Sequence, residues 1–112
     1  MALNKYTQVE VAALSDAELS RLASALRFGQ EITWDIWSPA TDRNQSGELL
    51  QFAAYKMGMD YTFISDLHTY VQIEQRESPG TWRKIVAVKG ADARAETIAA
   101  VCALLALEGR LA

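Results

Sequence analysis

Only one cysteine, Cys102, and one histidine, His68, occur in the 112 residues. A lone thiol cannot close an intrachain disulfide, which excludes a fold stapled by cross-links and makes a reducing compartment the expected setting. One Cys with one His also falls short of the four N/S ligands of a structural zinc site. Phosphate-cradling loops are missing as well. The six glycines stand singly, without the spacing of a nucleotide-binding loop or a nucleophile elbow. No cofactor is expected, and nucleotide chemistry is disfavoured.

Basic excess is absent too. Lys and Arg number 11 against 14 Asp and Glu, a formal net charge of -3 with a pI of about 5.1. A domain drawn to phosphate backbones normally carries a strongly basic face, so nucleic acid is a disfavoured partner. Long hydrophobic runs are also missing: the longest, residues 98–107, is half of the roughly 20 residues a membrane span needs. The N-terminal MALNKYTQVE places Asn4, Lys5, Gln8 and Glu10 where a secretory signal needs an apolar core. A cytoplasmic protein with no membrane partner is expected. What is present, 50% hydrophobic and 22% charged residues, is globular composition, and a chain of this length should form a single domain over residues 1–112.

Periodicity divides the chain into helices and strands. Ser15 and Glu18 read as a capping box, flanked by Leu14 and Leu19 as a staple. Leu19, Leu22, Ala23 and Leu26 then share one helical face up to Gly29, which predicts a first helix over residues 16–28. In EITWDIW, the residues Ile32, Trp34 and Ile36 alternate with Thr33, Asp35 and Trp37. That is the period of a strand, residues 32–37, with Trp34 inward and Trp37 on the wetter face. Pro39 stops it, and Thr41 or Asp42 can cap a helix over residues 43–57, with Leu49, Leu50, Ala53 and Met57 on one side.

Residues 59–68, MDYTFISDLH, read as either a short strand around Tyr61 to Ile64 or an irregular connection, with the loop favoured. Residues 69–75 and 82–88 are β-branched and aromatic, with Pro79-Gly80 between them, the clearest hairpin in the chain. The last helix has Asp92 as N-cap, Ile98, Val101, Cys102 and Leu105 at core spacing, and Gly109 at its close. Leu104 and Leu107 fall off that stripe. The helix is therefore apolar over more than half its circumference and needs cover on two sides. The expected fold is α+β, an antiparallel sheet with helices packed on it and the C-terminal helix buried. A homodimer is expected, formed through apolar surface on the C-terminal helix or around Trp37.

Catalytic candidates are few. Asp66 lies two residues from His68, a spacing at which a carboxylate could orient the ring or share a metal, yet no third group is placed by spacing. Asp35 and Asp42 could pair for acid–base work, although strand surface and helix cap account for them. Arg76, Arg83, Lys84 and Lys89 cluster on the hairpin and could meet phosphates or an acidic partner. Glu74 and Glu77 in the same hairpin favour cross-strand pairing instead. Cys102, among alanines and leucines, reads as packing. The candidate partner-binding residues are Trp37, Asp35, Arg76, Arg83 and Lys84, and no metal ligand is nominated.

The segment SPATDRNQSGELL, residues 38–50, resembles small phage and prophage proteins of the NinX-like and phage ABA-sandwich kind. Those carry a Pro-Ser/Ala-Thr-Asp-x-x-Gln segment, a tryptophan-bearing strand and a C-terminal helix with a Thr and an alanine-rich face. Here Pro39, Ala40, Thr41, Asp42 and Gln45 match the first, Trp82 the second, and Thr97, Ala99, Ala100 and Ala103 the third. The match spans about residues 34–108. Where NinX-like proteins often continue with Gly-Gly-Pro-Ile, this chain has Ser46, Gly47, Glu48 and Leu49. The resemblance implies an α/β sandwich and a phage origin, and it brings no catalytic residue.

The expected function is that of a small acidic phage or prophage accessory protein that binds a host or phage protein, as an inhibitor of a host defence or regulatory complex such as a CRISPR effector. A structural, self-assembling protein without catalysis is one alternative. An enzyme or small-ligand binder built on Asp35, Asp42 and His68 is the other.

Overall fold

Two capping boxes in succession open the structure. Thr7 Oγ1 accepts the Glu10 N–H at 3.1 Å while Glu10 Oε1 accepts the Thr7 N–H at 3.0 Å, which starts a short helix, α1 (Gln8–Ala12). Ser15 and Glu18 repeat the exchange at 3.1 and 3.2 Å and start α2 (Asp16–Phe28). Hydrogen bonding from the Ser15 side chain, then from its backbone, holds the Glu18 carboxyl below its ordinary value. Only the second box is anticipated by the periodicity, because five residues are too few to show a 3.6-residue repeat. The computed structural model describes residues 5–31, 37–57, 61–66, 70–90 and 92–112.

Helix α2 stops at Gly29, whose φ of 78° is the left-handed value of a C-terminal cap. The expected strand at residues 32–37 lies, up to residue 36, outside the described residues, and with it Asp35 and Trp34. Trp37 sits in irregular backbone leading to α3 (Arg43–Met57). Next comes β1 (Tyr61–Asp66), the strand alternative at this stretch rather than the favoured loop. The periodicity of YTFISD is weak, and pairing with the next strand rather than local preference makes it a strand.

β2 (Tyr70–Ser78) and β3 (Thr81–Lys89) form the expected hairpin, and the sheet order is β1-β2-β3, antiparallel throughout. Val71 pairs with Val88 and Ile73 with Val86, and all four are buried. These two apolar cross-strand pairs make the sheet's inner face. Gln8 Nε2 donates to the Ala87 carbonyl at 2.6 Å, so α1 is tied to β3.

Helix α4 (Ala93–Leu107) packs on that inner face, with Asp92 Oδ1 accepting the Ala95 N–H at 2.9 Å as the cap. It is buried from Ala95 to Leu105 save for Glu96, which is half-buried. Sheet strands β2 and β3 cover one side, and α1, α2 and α3 cover the others. Alanine at 99, 100 and 103 lets these neighbours approach closely. Of the two sources of cover open to this helix, a second layer of the fold or another subunit, the chain itself supplies the first.

Helices α2, α3 and α4 start together and end together. Arg43 Nε stands 3.3 Å from Glu96 Oε1, and Arg94 Nη1 lies 2.6 Å from Asp16 Oδ1, so the first turns of the three are neighbours. Their C-terminal turns share one groove. Parallel helices set like dipole ends side by side, which is unfavourable unless compensated. Asp16, Glu18, Asp42, Asp92 and Glu96 stand at the N-terminal end, and Arg27 and Lys56 at the other. Arg94 also donates through Nη2 to the carbonyls of Ala12, at 2.9 Å, and Leu14, which locks the α1–α2 corner onto α4.

Candidate partner-binding site

The dense stretch around residues 37–46 resolves into a structural knot. Trp37 Nε1 donates to the Ser20 carbonyl at 2.7 Å, and the ring meets Phe28 edge-on at 5.1 Å between centroids. The ring is half-buried against the core, so the expectation that Trp37 faces solvent as an anchor is corrected. An indole whose N–H finds an acceptor on a neighbouring helix is better placed packed than hydrated. The Ser38 N–H donates to Gln45 Oε1 at 2.6 Å. Asp42 wins the cap of α3: its Oδ1 accepts from Asn44 and Gln45 N–H groups at 2.9 and 3.2 Å. Thr41 instead pairs its hydroxyl with Ser38 Oγ at 2.6 Å.

Thr97 closes the knot from α4. Fully buried, its hydroxyl lies 2.8 Å from both the Pro39 and Ala93 carbonyls. Ser46 is also fully buried, its hydroxyl 3.1 Å from Arg43 O and 3.2 Å from Glu96 Oε1. Pro39, Asp42 and Gln45 of the segment before and into α3 and Thr97 of α4 thus belong to one hydrogen-bonded cluster. Sequence spacing could not join Thr97 to Pro39, 58 residues apart. Among the described residues no buried side-chain N or O lacks a partner, so this knot leaves no polar group waiting for a ligand.

The hairpin is different. From Arg76 to Lys84 every residue whose side chain is described is exposed: Arg76, Ser78, Pro79, Gly80, Thr81, Trp82, Arg83 and Lys84. Gly80, at φ 80°, and Pro79 make the turn, a combination suited to a type II bend. Such a bend splays antiparallel strands, and the register shifts twice beside it, between Ile73 and Glu74 and between Arg76 and Ser78. Those irregularities place Arg76 opposite Trp82 and Glu74 opposite Lys84. Glu74 accepts from Gln72 Nε2 at 2.5 Å. Three cations and a 43% exposed indole are thereby gathered at the outer end of the sheet. Lys89, also exposed, sits at the opposite end of β3.

Of the remaining candidates, His68 lies outside the described residues, and among those described no group of three His, Cys, Asp or Glu is placed to hold a metal. Cys102 is fully buried, and burial pushes its thiol up to about 12, as its apolar neighbours in the sequence suggest. An open groove of about 340 Å³ between α2, α3 and α4 is lined by Leu26, Phe52, Lys56, Leu104, Leu107 and Glu108. Sequence reading missed it, because Leu26 and Phe52 look like core positions on their own helices. Arg27 lies over the Phe52 ring at 4.1 Å, and Lys56 at 5.6 Å. No helix among the described residues is long and apolar enough to cross a membrane.

No protein-family model, no curated protein sequence and no solved structure matches the chain.

Proposed function

We propose that this chain is a small phage or prophage accessory protein, working as a homodimer in the host cytoplasm, that binds another protein through the outer end of the β2–β3 hairpin. The observation that carries the reading is the exposed set Arg76, Trp82, Arg83 and Lys84 on a chain whose net charge is -3. Trp and Arg dominate binding energy at protein interfaces, because a large ring or a planar guanidinium gains much on desolvation at little entropic cost. A local cluster of cations on an acidic molecule selects an acidic patch and repels the wrong orientation of approach. The phage setting comes from the Pro39 to Gln45 resemblance, and inhibition of a host defence or regulatory complex is the activity that setting suggests.

Affinity capture from host lysate, with mass spectrometry of what is retained, tests this. The wild-type chain should retain a defined protein that Trp82→Ala and the triple reversal Arg76→Glu, Arg83→Glu, Lys84→Glu both release. Retention of the same protein by all three baits would move the interface elsewhere.

A further inference from the structure

We propose that the partner meets the hairpin on one face of the sheet only, the face turned away from α4, and that it presents there an acidic peptide segment with an apolar side chain for Trp82, a proposal that rests on the preceding reading and narrows it. From Val71 to Arg76 the alternation of β2 is unbroken. Val71 and Ile73 are buried on the side of α4, and Gln72, Glu74 and Arg76 take the other face. β3 is less regular: Val86 stands opposite Ile73, but Lys84 stands opposite Glu74, so β3 holds one residue more than its partner at that point. Without the extra residue, Trp82, Lys84, Val86 and Val88 would line one face, and all four would point toward α4. The bulge turns Trp82 and Lys84 over to the face of Glu74 and Arg76, the effect by which bulges re-aim side chains. Arg83, between them, takes the α4 side instead. The hairpin cations are thereby divided: Arg76 and Lys84 share a face with the 43% exposed indole of Trp82, and Arg83 does not.

Spacing and charge on that face define what fits it. Arg76 lies directly across from Trp82, about 5 Å away at Cβ, and Lys84 lies about 7 Å along the same strand. An indole with a cation on two sides suits an apolar side chain flanked by carboxylates. Glu74 sets the limit on the occupant. It stands opposite Lys84 on the same face, where its carboxylate accepts from Gln72 Nε2. A nucleic-acid strand, with a phosphate at every step, would run against that carboxylate, whereas a peptide carries charge only where its sequence places it. Among the described residues no side chain on this face is buried, so the surface is open to a partner.

Fluorescence anisotropy of a short labelled peptide of repeating Glu-Glu-Phe, at about 0.15 M salt so that distant charges are screened, tests the division. The wild-type chain should bind the peptide, and Arg76→Glu, Lys84→Glu and Trp82→Ala should each weaken binding by about tenfold or more. Arg83→Glu makes the same change in net charge one residue away, and should weaken binding by about threefold or less. Thermal melts by circular dichroism identify any variant that fails to fold, and Lys84→Gln against Arg83→Gln then repeats the comparison without charge reversal. Equal losses from the Arg83 and Lys84 variants overturn the proposal, as does an Arg76→Glu or Lys84→Glu chain that binds like the wild type. A wild type that ignores the peptide at millimolar concentration, or that binds an oligothymidylate of matched charge more tightly, overturns it too. Lysate capture by the triple reversal reports on the preceding reading alone: release there, with equal losses here, leaves the hairpin as the binding site and removes only the one-sided contact.

Discussion

Single side chains decide how the knot at residues 37–46 holds. Thr97→Val keeps the shape of the side chain but removes the hydroxyl that reaches the Pro39 carbonyl, so it should cost about 1–3 kcal/mol, and Thr97→Ser should cost less. Urea denaturation midpoints check both. Trp37→Ala should cost roughly 2 kcal/mol, below the ~3–5 kcal/mol of a fully buried ring, because the ring is half-buried yet packed and hydrogen-bonded. A neutral effect would return Trp37 to the solvent-facing role its strand period implies. Asp42→Ala should lose about 1 kcal/mol and Thr41→Ala less, since Asp42 alone of the two holds the N–H groups of α3. Cys102 should resist thiol reagents at pH 8 until the chain unfolds. Its thiol is raised from 9.0 to about 12 in the fold, so its contribution is intact below pH 9.0 and is lost as pH rises toward 12, where the unfolded chain ionises first. The fold should therefore weaken across that alkaline window, and Cys102→Ala should lessen that dependence.

Among the elements, those with long repeats or strong end signals were legible: α2 from its capping box and Gly29, α3 from Asp42 and its leucine face, α4 from Asp92, and the hairpin from Pro79-Gly80. What escaped has a common cause. Helix α1 is too short for periodicity, although Thr7 and Glu10 spell the same box that marked α2. Strand β1 exists through pairing with β2, a contact that no local window contains. Arg76, Arg83 and Lys84 are legible as hairpin residues, whereas the exposure of Trp82 is not, because burial cannot be read from a strand's period until its covered face is known. Arg94 likewise looks like helix surface, yet it bonds Asp16 and the carbonyls of Ala12 and Leu14. Arg94→Ala should cost about 1–3 kcal/mol, as for hydrogen bonds to a charged group, and should raise hydrogen exchange in α1 before α4.

Across the whole molecule, rigidity and recognition occupy different ground. The core runs through α4, packed from Ala95 to Leu105 by α1, α2, α3, β2 and β3, and the knot at residues 37–46 fastens α2, α3 and α4 with its buried polar side chains satisfied. Among the described side chains, the hairpin beyond Val86 and Ile73 carries charge and an exposed indole rather than core. Changes there should spare stability and alter binding, whereas changes in the knot should do the reverse. The most direct test is quantitative capture from host lysate by the Arg76→Glu, Arg83→Glu, Lys84→Glu chain, scored against the wild type at matched thermal stability. The reversed chain should melt within a few degrees of the wild type and no longer hold the captured protein. Undiminished capture by the reversed chain, or a wild type that holds no protein above background, would contradict it.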